Sequence, residues 1–330
     1  MIVWVQFAIC LILIGVAGTR LALYADAIAE KTGMGGSWVG VVLLASVTSL
    51  PELATGISSV TVAGVPDIAV GDILGSCVFN LFILAILEMM IRSESIYRKA
   101  SQGHILSSGF GIILIGIIGL GIILSAGEGK VAVGHVGVYS FVLVGFYIFS
   151  MRTVFRFEKQ LAEELTSQVP ENYAHMTLRQ TLLRYLGAAL VVVFAGIWLP
   201  FIGAELAVQM QWNESFVGTL FVAFVTSLPE LVVTIAAVRI QALDMAVGNV
   251  LGSNLFNTVI IAVDDLFYLP GPLLADVEQS HIISALVAIV MTGVVVVSLF
   301  YRTRRMRHVV SWSGLTLIAL YILNAYTQYQ

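Results

Sequence analysis

Apolar residues fall in ten blocks, at roughly 3–28, 36–61, 66–91, 104–125, 131–151, 181–209, 213–238, 242–268, 280–300 and 309–327, with short polar breaks between them. Crossing a hydrocarbon core of about 30 Å takes about 20 helical residues, so each block predicts a transmembrane helix. In lipid a backbone must satisfy its own hydrogen bonds, and a helix does this within one segment. The expected fold is therefore an all-α integral membrane protein with ten transmembrane helices. The first block lacks a basic leading segment and is too long for a signal-peptide core, so it reads as the first of these helices.

Composition supports this setting: 59% of the 330 residues are hydrophobic and 11% are charged, more apolar than a soluble domain. The net charge of −4 says little, but the placement of basic residues gives an orientation. With the N-terminus outside, the inner ends and loops hold Lys31, Arg92, Arg98, Lys99, Arg152, Arg156, Lys159, Arg179, Arg184, Arg239, Arg302, Arg304, Arg305 and Arg307, and the outer side only Lys130. That asymmetry predicts a plasma-membrane protein, or an inner-membrane protein in a bacterium, with both termini outside. Cys10 and Cys77 fall inside predicted spans and read as apolar fillers, and the five histidines do not cluster into a metal site.

The chain repeats itself. "VTSLPELATGISSV…AVGDILGSCVFN" at 47–80 returns as "VTSLPELVVTIAAV…AVGNVLGSNLFN" at 225–257, offset by 178 residues at the first motif and 177 at the second. Each copy lies on the second and third helices of a group of five, and because five is odd the second group enters the membrane in the opposite sense. The expected organisation is a first five-helix repeat over 1–151 (motif 45–80), a cytoplasmic connector over 152–180, and a second inverted repeat over 181–330 (motif 223–257). Inverted repeats with polar centres point to a transporter.

The motif chemistry points to a cation. Thr48 and Glu52 share a helix face at a spacing of four, as do Thr226 and Glu230. Pro51 and Pro229 cannot donate to the carbonyls of Val47 and Val225, which leaves backbone oxygens in need of a partner. Ser76 and Asn80, and Ser253 and Asn257, again lie four apart, and glycines 71, 75, 248 and 252 let helices approach closely. A serine, a glycine or a proline alone is most simply back-bonding, packing or a bend. Two symmetric intramembrane glutamates are too costly for that, and carboxylates, hydroxyls and loose carbonyls together suit a hard cation such as calcium.

These paired motifs resemble the cation/calcium antiporter superfamily, specifically its sodium/calcium exchanger branch, over nearly the whole chain. The resemblance implies a ten-helix exchanger that trades several sodium ions for one calcium ion. The second, third, seventh and eighth helices would form a core across which the first and sixth slide to alternate access. By position, Glu52 and Glu230 would be the central ligands; Thr48 and Thr226, with the carbonyls of Ala45 and Ala223, would add oxygens; Ser49, Ser227, Ser76 and Ser253 would form flanking sodium sites; and Asn80 and Asn257 would lie at the centre. No cofactor and no nucleic acid is implied: the partners are Ca2+, Na+ and membrane lipid, and a monomer would suffice.

Two positions depart from the pattern. Asn257 stands where some members carry aspartate, which leaves two central carboxylates and opens the stoichiometry. Asp72 stands where the second repeat has Asn249; a gate or a place near the membrane surface is favoured over a ligand role. Glu88, Asp264 and Asp265 read as interfacial residues near helix ends. The alternatives to sodium/calcium antiport are proton- or sodium-coupled exchange of another divalent cation such as Mg2+ or Mn2+, and a passive cation channel. No nucleophile constellation or phosphate loop indicates an enzyme.

Overall fold

The computed structural model describes residues 2–91, 96–125, 131–164, 173, 176–210, 222–301 and 311–329. Arg92, Lys130, His175, His308, the basic residues of 302–307 and the start of the seventh predicted span lie outside the described residues. The helices are α1 (Ile2–Thr32), α2 (36–48, with a π-helical stretch at Gly40–Leu44), α3 (Leu50–Ser58), α4 (Pro66–Met90), α5 (Gly103–Ser125), α6 (Val138–Glu164), α7 (Leu178–Met210), α8 (Val222–Thr226), α9 (Leu228–Arg239), α10 (Leu243–Phe267), α11 (His281–Tyr301) and α12 (Trp312–Tyr329). Together α2 and α3 make one span, as do α8 and α9. Among the described residues nine spans are long and apolar enough to cross a membrane, and the 18-residue α12 completes the ten expected.

The expected and observed spans agree within a few residues, except the fifth. Residues 132–137 form a two-stranded hairpin, β1 (Ala132–Val133) and β2 (Val136–Gly137), in which Ala132 pairs with Gly137 and Val133 with Val136. Helix α6 then begins at Val138 and runs to Glu164, past the expected boundary at 151. Rising polarity marked that boundary, but Glu, Lys, Gln, Leu and Ala are good helix formers and carry the helix into the connector.

Burial separates a core from a periphery. The most apolar windows of α4 and α10 are 83% buried, against 28% for α1 and 33% for α7. Helix α10 is the hub, contacted by α2, α3, α4, α5, α6 and α9, while α1 packs mainly along α7. Both peripheral helices expose large apolar side chains suited to lipid, including Ile12 and Val16 on α1 and Leu190 and Phe194 on α7. Helices α2 and α10 touch backbone to backbone: a Cβ at Gly252 would lie 2.5 Å from the Val41 carbonyl oxygen, and one at Gly248 would lie 2.6 Å from that of Ser37. Small residues permit this approach, and it brings Ser253 and Asn257 of α10 towards the centre of the core.

Candidate functional site

Each repeat interrupts its motif helix at a serine. Ser49 (φ −90°, ψ 8°) separates α2 from α3, and Ser227 (φ −85°, ψ 7°) separates α8 from α9. Pro51 and Pro229 stand in the first turn of the new helices, where N–H groups have no intrahelical acceptor and a missing one costs little. Glu52 and Glu230 occupy the same first turns, where the positive end of the helix dipole favours a carboxylate.

The serine that interrupts each motif helix meets the glutamate of the other repeat. Ser49 Oγ donates to Glu230 Oε1 at 2.9 Å, and Ser227 Oγ donates to Glu52 Oε1 at 3.0 Å. Ser253 reaches Glu230 Oε1 at 3.4 Å and Ser76 reaches Glu52 Oε1 at 3.5 Å. Ser227 Oγ also reaches Ser76 Oγ at 2.9 Å; a hydroxyl has one proton, so Ser227 gives it either to Ser76 or to Glu52. The six residues are completely buried, and the serine–glutamate contacts obey the symmetry of the repeat.

The remaining expected residues surround this set less evenly. Thr226 Oγ1 donates to Asp72 Oδ1 at 2.8 Å, while Thr48 Oγ1 back-bonds to Leu44 O at 3.1 Å and lies 3.4 Å from Asn249 Oδ1. The Ala45 and Ala223 carbonyls accept the backbone N–H of Ser49 and Ser227 at 3.0 and 3.2 Å and are also approached by the hydroxyls of Thr48 and Thr226 at 3.4 and 3.2 Å. Asn80 Nδ2 donates to Asn254 Oδ1 at 3.0 Å. Neither side-chain polar atom of Asn257 has a partner within the protein.

What the site can do follows from its leftover atoms. Glu52 Oε2, Glu230 Oε2, Asn80 Oδ1 and Asn257 Oδ1 are buried and without hydrogen-bond partners. Among the described residues no lysine or arginine pairs with either glutamate. A buried carboxylate without a counter-charge costs several kcal/mol. Carboxylate and amide oxygens so presented are hard-cation ligands, and a hydroxyl that gives its proton to a neighbour still turns lone pairs towards a cation.

Several acids are not where their sequence positions suggest. Asp72 is fully buried and bonded to Thr226. Glu88 and Asp265 are buried too, not interfacial, because loops fold over them. Asp265 accepts from Gly137 N at 2.8 Å, Tyr139 Oη at 2.7 Å, Ser140 Oγ at 2.5 Å and Leu273 N at 2.7 Å, and Glu88 accepts from Ser311 Oγ at 2.5 Å. Asp264 is fully buried as well. Sequence reasoning missed two clasps, His281 Nε2 to Asp67 Oδ1 at 3.0 Å and His104 Nε2 to Asp244 Oδ1 at 3.2 Å. Both residues of one clasp lie 177 positions from those of the other, so the repeat offset was the signal that could have found them.

The family described as "Sodium/calcium exchanger protein" matches residues 2–156 and 179–330. An uncharacterized membrane protein of Methanocaldococcus jannaschii is 27% identical over 320 residues, 96% of this chain and 95% of its own. The sodium/calcium exchanger MaX1 of Methanosarcina acetivorans is 34% identical over 111 residues, 33% of this chain and 29% of its own. A solved structure of the sodium-calcium exchanger NCX_Mj shares the fold, with a TM-score of 0.72 at 21% identity over 98% of this chain and 97% of that one.

Proposed function

The chain belongs to the sodium/calcium exchanger family, and on that premise we propose that it is a secondary active antiporter exchanging sodium for calcium by alternating access. The observation that carries this reading is the reciprocal pair of buried glutamates, each held on one oxygen by the other repeat's serine and unpartnered on the second. Glu52 and Glu230 would bind either ion type. Thr48, Thr226 and the Ala45 and Ala223 carbonyls would add oxygens to the calcium site; Ser49, Ser227, Ser76 and Ser253 would serve sodium; and Asn80 and Asn257 would complete the centre.

Two negative charges match one Ca2+ or two Na+. Loaded, the core is near neutral and an apolar helix pair can pass over it. Empty, it exposes a double charge, and a charged residue at mid-membrane costs roughly 2.5–3.5 kcal/mol on insertion scales. Movement without cargo is therefore disfavoured, which is the origin of coupling. Helices α1 and α7 are the moving pair in this reading, since they pack chiefly on each other and cross α9 and α3. The termini lie outside and the connector between the repeats is cytoplasmic, as the basic residues indicate. Each chain carries both motifs, so one chain suffices.

Proteoliposomes test the proposal. An outward sodium gradient is expected to drive 45Ca2+ uptake, and Glu52→Gln or Glu230→Gln to abolish it. Calcium uptake indifferent to sodium but driven by a pH gradient would refute sodium coupling, and single-channel currents would refute exchange.

A further inference from the structure

Beyond Glu52 the core holds carboxylates that the central site does not use. One turn along α3 is Gly56, where a Cβ would lie 2.6 Å from Asp264 Oδ1 of α10. Asp264 is fully buried over that bare backbone, and neither of its carboxylate oxygens has a hydrogen-bond partner. On α4, the equally buried Asp72 takes the Thr226 proton on Oδ1 and has nothing on Oδ2. Asp264 and Glu52 are both near enough for their charges to act on Asp72.

The repeat-related positions in the other half of the core are neutral. Asn249 replaces Asp72, Thr234 replaces Gly56, and Leu87 replaces Asp264. The polar groups there satisfy each other, with Asn249 Nδ2 donating to Thr234 Oγ1 at 2.8 Å. The charge asymmetry is thus produced by three coordinated departures from the repeat: one acid for an amide, one acid for an apolar residue, and a glycine that makes room. A buried carboxylate is tolerated when a cation or donor compensates it, and the protein supplies Asp264 with neither among the described residues.

We infer that Asp264 and Asp72 form an additional way-station for a hard cation on the side of the central site towards which α3 runs. By the orientation read from the basic residues this is the outer side. Its transport role rests on the antiport reading, whereas its cation chemistry does not.

Equilibrium binding of 45Ca2+ to the full-length purified chain tests the chemistry independently of flux. With the centre disabled by E52Q/E230Q, residual saturable binding is expected, and adding D264N should weaken it at least about tenfold. In proteoliposomes D264N in the otherwise native chain should raise the half-saturating Ca2+ concentration several-fold at one membrane face and leave the other unchanged. If D264N does not fold, D264L, which installs the residue of the other repeat, takes its place. No residual binding in E52Q/E230Q, residual binding indifferent to both Asp264 variants, or identical shifts at both faces overturns the inference. Failure of the antiport reading would appear separately, as absence of sodium-driven uptake by the native chain.

Discussion

Replacing Gly196 of α7 by alanine is expected to impair transport far more than the same change at Gly18 of α1, although the two glycines are 178 positions apart and thus repeat-related. A Cβ at Gly196 would lie 2.5 Å from Pro51 Cγ and 3.5 Å from Pro229 Cγ. Carbon atoms pack at about 3.5–4.0 Å, so α7 must withdraw by roughly 1 Å, because a pyrrolidine ring has no rotamer that clears the space. At Gly18 the nearest atoms are Val233 Cγ2 at 3.0 Å and Val232 Cγ1 at 3.4 Å, branch tips that small side-chain shifts relieve. Overpacking a rigid contact costs roughly 1–3 kcal/mol, a factor of about 5–150 in the population of this arrangement. The assay is the initial rate of sodium-driven 45Ca2+ uptake at matched protein density. G196A should fall at least about fivefold while G18A stays within about twofold, ratios that follow from those energies. A native rate in G196A would refute the claim that α7 bears directly on the proline pair.

Two further outcomes follow from the geometry. Ser49→Ala and Ser227→Ala each remove a hydroxyl read as a sodium ligand and bonded to a buried carboxylate, a contact worth about 1.5–3 kcal/mol; the half-saturating sodium concentration should rise by up to roughly 10- to 150-fold in both, and a large inequality between the two variants would contradict the reciprocal pairing. Asp265→Ala strips the acceptor from two backbone and two side-chain donors, each costing about 1–3 kcal/mol if left buried and unpaired; the unfolding midpoint in detergent should drop markedly, and an unchanged midpoint would show that the hairpin is not held there.

Helix number, the repeat and the glutamate pair were legible because each depends on local pattern. Apolar blocks set span length, and "VTSLPEL" recurs intact. The interruptions at Ser49 and Ser227 were half legible: proline announces a break but not whether a residue before it bends or begins a new helix. Burial of Glu88 and Asp265 was invisible, since it depends on residues 137–140 and 311 reaching helix ends from distant parts of the chain and on residue 273 folding back over the helix it follows. The bond of Asp72 was invisible for a related reason. Its neighbour Thr226 is 154 positions away, and only tertiary packing brings a hydroxyl to that carboxylate. The histidines were read singly, while the pairing lay in the offset between them.

The crossing of Ser49 to Glu230 and Ser227 to Glu52 has a consequence for ancestry. Within a half only the longer contacts remain, Ser76 to Glu52 at 3.5 Å and Ser253 to Glu230 at 3.4 Å, so one half alone lacks the shorter serine bond to its glutamate. A primordial chain of five helices would have completed its site only by meeting a second copy inserted upside down, each lending the other a hydroxyl. Fusion of two such copies into one gene removes the need to find that partner and lets the halves diverge, as they have at Gly56 and Thr234.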